Sequence, residues 1–122
     1  MTRTRASAKA AGARFERLIA DALAEHLDDD RIDRRVKTGA RDRGDIGGVR
    51  AHGQRVVIEC KDCARSDLPA WTREARTQAG NDDALVGVVV HKRHGVSDPL
   101  RQWVSMTLAD FVALLTGQAV DQ

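Results

Sequence analysis

Val56-Val57-Ile58-Glu59-Cys60-Lys61 is an apolar run broken by two charges, and Gly44-Asp45-Ile46-Gly47-Gly48 lies a short polar gap before it. Read as a β-strand, the run alternates: Glu59 and Lys61 project from one face, Ile58 and Cys60 from the other. A carboxylate and an ammonium in so apolar a strand are costly to bury unless they are paired, ligated or face a wet cleft. Ala51-His52-Gly53-Gln54 reads as a hairpin turn joining a strand over 45–50 to one over 55–62, and antiparallel pairing across it brings Asp45 toward Glu59. Two acids at that separation repel unless a cation lies between them, and oxygen-only ligands suit Mg²⁺, with Mn²⁺ as a substitute. Asp45, Glu59 and the backbone carbonyl of Cys60 are then the expected protein ligands. Lys61 beside them would orient an attacking water and stabilise charge on a phosphorus, which is the chemistry of phosphodiester hydrolysis. The competing reading of Glu59-x-Lys61 alone is a surface ion pair; the preceding Gly-Asp-Ile stretch shifts the balance toward a metal cleft.

Working outward, Ser7 is the expected cap of a first helix in which Ala11, Phe15, Leu18, Ile19, Ala22 and Leu23 recur at helical spacing, after a basic, mobile arm over residues 1–6. Residues 31–38 alternate Ile32, Arg34 and Val36 as a short strand would, and Gly39 to Arg43 reads as a basic turn. Pro69 suits the first turn of a helix capped by Ser66 or Asp67 and stopped by Gly80-Asn81. Leu85 to His91 is nearly unbroken apolar sequence, as in a strand buried on both faces and parallel to its neighbour after a helical crossover. A further strand over 101–106 precedes a helix capped by Thr107, with Leu108, Phe111, Val112, Leu114 and Leu115 as its apolar residues. The expectation is a single α/β domain with a central mixed sheet flanked by helices, in the order αβββαββα.

At 122 residues the chain can bury one core and hold one site. The net charge of +2 hides an asymmetry: 15 of the 20 Lys and Arg precede position 66, against 11 of the 18 acids. The basic residues around the motif are what a phosphate-binding face requires, although solvated surface accounts for charge of this kind equally well. Aromatics are few (Phe15, Trp71, Trp103, Phe111, no tyrosine), so a nucleic acid would be gripped by its backbone rather than by base stacking. Cys60 and Cys63 form a Cys-x-x-Cys spacing with no second pair to complete a zinc site, and Cys60 reads as a small buried hydrophobe. No apolar stretch approaches the roughly 20 residues of a membrane span, and the basic start is not followed by a signal-peptide core; a soluble, intracellular, cytoplasmic protein is expected.

Gly44-Asp45-Ile46 followed by Ile58-Glu59-Cys60-Lys61 resembles the PD-(D/E)xK nuclease superfamily, with Gly44 where the motif name has proline. Together with Gly12-Ala13-Arg14-Phe15-Glu16-Arg17-Leu18 and the basic segment before Asp45, the pattern is similar to archaeal-type Holliday junction resolvases and related phage proteins, over about residues 9 to 95. The resemblance implies a restriction-endonuclease-like core, Mg²⁺-dependent endonuclease activity on DNA, four-way junctions as substrate, and a homodimer in a bacterial or phage-infected cell. It makes Asp45 and Glu59 metal ligands, Lys61 the catalytic lysine, and Glu16 the acid of the first helix that reaches the metal directly or through water. It places Gln78 at the active site and Thr38 near a hydroxyl that contacts DNA. Arg14, Arg35, Lys37, Arg41, Arg43, Arg73 and Lys92 complete the expected DNA-binding set. The alternatives are a restriction-like or repair nuclease acting on duplex DNA, and a non-catalytic nucleic-acid-binding protein that keeps a nuclease fold.

Overall fold

A computed structural model describes residues 3–36 and 41–121. Helix α1 spans Arg5–His26 and starts earlier than the Ser7 cap would allow. Thr4 is the cap, its hydroxyl accepting Ser7 N–H at 3.0 Å while the Ser7 hydroxyl donates to the Thr4 carbonyl. Arg5 and Ala6 are therefore helical, and Arg3 reaches Asp62, 3.2 Å from its carboxylate, so the expected arm is in large part structured. Ala11, Phe15, Ile19 and Ala22, spaced by four, four and three, form the buried stripe of α1.

The sheet contains β1 (Asp33–Arg34), β2 (Ile46–Gly47), β3 (Arg50–Ala51), β4 (Gln54–Lys61), β5 (Val86–His91) and β6 (Trp103–Ser105). Strand order is β1-β2-β4-β5-β6, with β3 paired to the start of β4. The single strand expected over 45–50 is thus two short ones. Ile46 pairs with Ile58 but Arg50 pairs with Arg55, a slip of one residue that marks a bulge at Gly48-Val49. His52 and Gly53 both have positive φ (54° and 72°), which makes the hairpin turn a two-residue type I′ connection. Of the strand expected over 31–38, residues 37 and 38 lie outside the described residues; within 31–36 it is β1, with Ile32 buried just before it and Val36 exposed.

Helix α2 (Leu68–Asn81) carries the chain from β4 to β5, which pair in parallel from Val56↔Val86 to Lys61↔His91. Asp67 caps α2, and Pro69 occupies its first turn, where a missing N–H costs nothing. Helix α3 (Leu108–Thr116) closes the order αββββαββα among the described residues, a three-layer α/β arrangement with one more strand there than expected. Phe15, Ile19, Ile46, Ile58, Val88, Val90 and Ala113 share one core beneath α1 and α3; Trp71, Ala75 and Val89 form another beneath α2. Strand β5 is buried by both layers because its even residues face one and its odd residues the other. No helix among the described residues is long and apolar enough to cross a membrane.

Two local features set limits on this arrangement. A Cβ on Gly87 would lie 2.1 Å from the carbonyl oxygen of Ala75, so α2 rests on bare backbone at β5. Gly87→Ala is expected to cost about 1–3 kcal/mol by overpacking, read as a lower urea midpoint with unchanged slope. The buried side of α3 is Asp110 and Ala113, and the Asp110 carboxylate accepts Gly87 N–H at 3.4 Å. Of the apolar residues expected there, Leu114 packs against the core, while Leu108, Phe111, Val112 and Leu115 are exposed, as are Trp103 and Val104 on edge strand β6.

Candidate active site

The pairing of Ile46 with Ile58 puts Asp45 opposite Glu59, and alternation puts Lys61 on the same face, under α2. Asp45 and Glu59 are buried, at 2 % and 5 % exposure. The Asp45 amide donates to the Ile58 carbonyl at 2.8 Å, and its carboxylate accepts Cys60 N–H at 2.8 Å. A residue's N–H and C=O point the same way along a strand, so the Cys60 carbonyl is turned toward Asp45 as well. Gly44, just before Asp45, has φ +96°, and a Cβ there would meet the Val57 side chain at 2.9 Å. Proline, whose φ is fixed near −65°, could not take the place of Gly44.

Helix α2 contributes from above. Gln78 is buried and donates through Nε2 to Glu59 and, at 3.2 Å, to Asp42, while its Oε1 has no hydrogen-bond partner. One turn earlier Glu74 accepts from Lys61 Nζ at 2.9 Å. Neither Asp42 nor Glu74 was expected here. Glu74 precedes Gln78 by four residues, a spacing that puts both on one helix face. Asp42 precedes Gly44 by two and accepts its N–H at 2.9 Å, the signature of an Asx turn.

Burial raises the Glu59 pKa, and the hydrogen bond and charge of Asp45 raise it further; the bond from Gln78 and the charge of Lys61 oppose this, leaving it pushed up to about 9. Asp45 and Glu59 without a cation therefore hold a proton between them at neutral pH. For Lys61, burial works against the ammonium, but the Glu74 hydrogen bond and the charges of Glu59 and Glu74 outweigh it and raise its pKa. A stability trend follows for the metal-free protein. From pH about 4.5, the ordinary Glu59 value, to about 9, the folded state keeps a proton that the unfolded chain has released. Stability should fall as pH rises through that window, by up to about 1 kcal/mol per pH unit. Urea unfolding in EDTA across the window checks this, and Glu59→Gln should flatten the slope.

The donor set fits a hard divalent cation. Mg²⁺ is commonly held by one or two carboxylates with water and substrate oxygens, which is what Asp45, Glu59 and the Cys60 carbonyl offer. Glu16 lies on α1, in the layer opposite α2, with its carboxylate 3.6 Å from Arg34 Nη2.

Of the expected DNA-binding residues, Arg41, Arg43 and Arg73 are exposed near the cleft. Arg73 borders an open groove of about 670 Å³ with Asp42, Glu74, Thr77, Gln78 and Asn81. Arg14 and Lys92 border another, of about 370 Å³, between α1 and the ends of β4 and β5, with Lys92 Nζ donating to the Val96 carbonyl. Arg35 is half-buried and paired with Asp82 at 3.1 Å. Lys37 and Thr38 lie outside the described residues. Cys60 and Cys63 are both free thiols; Cys60 packs partly buried against the α1 side of the core. Compared with known proteins, the chain matches no family model, no curated protein and no solved structure.

Proposed function

We propose that this chain is a Mg²⁺-dependent DNA endonuclease with a PD-(D/E)xK, restriction-endonuclease-like core, acting on four-way junctions as a homodimer. The observation that carries the reading is the pair of buried acids, Asp45 opposite Glu59, with Lys61 on the same face. Such a cluster is expensive to keep in a core this apolar unless its charges are used.

Asp45, Glu59 and the Cys60 carbonyl would hold the Mg²⁺, which when bound polarises the phosphate and lowers the pKa of water. The protein's own groups do the rest. An ammonium has three donors; Glu74 takes one from Lys61, leaving two for an attacking water and a non-bridging phosphate oxygen, where negative charge builds up. Gln78 fixes the Glu59 carboxylate from above, and the Cys60 amide fixes Asp45 from the side. The exposed Arg41, Arg43 and Arg73 suit the phosphates of a strand entering the groove along α2. The exposed apolar side chains of α3 and β6 supply a surface on which a second copy can pack.

The test is to incubate the protein with a four-way junction and a matched linear duplex, each with Mg²⁺ or with EDTA. Paired nicks confined to the junction and dependent on Mg²⁺ are expected. Equal cutting of both substrates would remove junction selectivity, and tight binding without cutting would make the chain a binding module.

A further inference from the structure

The sheet face that bears Asp45 and Glu59 continues along β2 into a second recess. It is a partly open recess of about 200 Å³, bordered by Arg35, Gly47, Gly48, Arg50, Arg55 and Asp82. Three arginines and one aspartate border it, and only Arg35 pairs with the carboxylate. Asp82 is buried and takes Arg35, with contacts of 3.2 and 3.1 Å. Arg55 donates one N–H to the Asp82 main-chain carbonyl at 3.1 Å, and Arg50 donates one to Gly53 in its own hairpin at 3.1 Å. Among the described residues no carboxylate lies within ion-pair distance of Arg50 or Arg55, so the recess carries an excess of two positive charges.

Tying the end of α2 to the sheet explains Arg35 and the single bond of Arg55. It does not explain Arg50, which touches neither Asp82 nor α2 in any bond the structure shows. Nor does it use the remaining donors: each guanidinium has five, in a planar fork that matches phosphate oxygens. Gly47 makes room for the Arg35 side chain, which a Cβ there would meet at 3.1 Å. Gly47 follows Asp45 by two residues, about 7 Å of strand, which is of the order of one nucleotide step from the acid pair.

We propose that this recess is a phosphate subsite, in which Arg50 and Arg55 grip a backbone phosphate of the strand adjacent to the one at Asp45 and Glu59. The assignment of that phosphate to DNA rests on the nuclease reading above; the shared chemistry is a phosphate oxygen cluster, and a free phosphate ion is the other source.

Binding of a fluorescent junction in EDTA, where no cutting occurs, separates these. Arg50→Ala is exposed and leaves the α2 ties in place; Arg55→Gln serves as a second variant. Each should weaken binding about tenfold, the worth of a charge-assisted hydrogen bond, and lower the slope of log affinity against log salt by about 1. A methylphosphonate at one backbone position should weaken the wild type by the same factor and add nothing in Arg50→Ala. Unchanged affinity and slope in Arg50→Ala, or equal methylphosphonate losses in both proteins at every position, would overturn the subsite. Calorimetric binding of inorganic phosphate that needs Arg50, with DNA binding that does not, would overturn its assignment to DNA. If the couplings appear but Mg²⁺ brings no cutting, the nuclease reading fails and the subsite stands; if the junction is cut without them, the subsite alone fails.

Discussion

Glu59→Gln is expected to remove Mg²⁺-dependent nicking, by on the order of 10²–10³ or more in rate, while leaving DNA binding in EDTA close to wild type. Glutamine keeps the size of the side chain and can still bond to Gln78, so the cleft should keep its shape. What it loses is the negative charge that a hard cation requires, in a donor set of only two carboxylates and a carbonyl. The same change should make the metal-free protein more stable above neutral pH, because glutamine never ionises beside Asp45 whereas Glu59 does as pH approaches about 9. Opposite effects on activity and stability are the mark of a group kept for chemistry. Single-turnover nicking and urea unfolding on the same preparations measure the two. A variant that nicks at the wild-type rate would remove Glu59 from the mechanism.

Lys61→Ala should cost about 10²–10³ in nicking rate for a different reason. Here the carboxylates and their cation survive, and the lost group is the donor facing the developing charge. Little stability should go with it: the partner Glu74 is 48 % exposed and can be hydrated once alone, and exposed ion pairs contribute about 0–1 kcal/mol. Lys61→Arg should not restore the rate, since a planar fork held by Glu74 presents its remaining donors in another direction. A loss confined to the Michaelis constant, with turnover unchanged, would make Lys61 a binding residue only.

Much of this site is legible in the sequence because strand alternation holds wherever no bulge interrupts the run, as from Val56 to Lys61. Once Val56 to Lys61 is a strand, Glu59 and Lys61 must share a face, and the hairpin before it brings Asp45 within reach. The crossover helix and β5 follow from Pro69 and from the unbroken apolar run after Leu85. The bulge at Gly48-Val49 breaks the alternation, so that Ile46 and Val49 pack on one core although three residues apart, but the two glycines between them carry no side chain to show where the break falls. Helix α3 also misleads. Its conspicuous apolar residues, Leu114 excepted, are on the outside, while Asp110 is buried and takes a backbone N–H of β5. Asp42 and Glu74 enter the site through an Asx turn and a helix face, neither of which announces a partner in the sequence. Glu16 lies on α1 as its helical spacing implies, and its contact with Arg34 of β1 is not legible in the sequence.

The central claim is that the acid pair and Lys61 make a metal-dependent phosphodiesterase. Its most direct test is single-turnover cutting of an end-labelled four-way junction by wild type and Glu59→Gln, prepared identically and assayed with Mg²⁺ and with EDTA. Paired nicks from the wild type with Mg²⁺, and none from the wild type in EDTA or from the variant in either, is the expected result. Nicks that persist in EDTA, nicks undiminished in Glu59→Gln, or a wild type that binds the junction and never cuts it would contradict it.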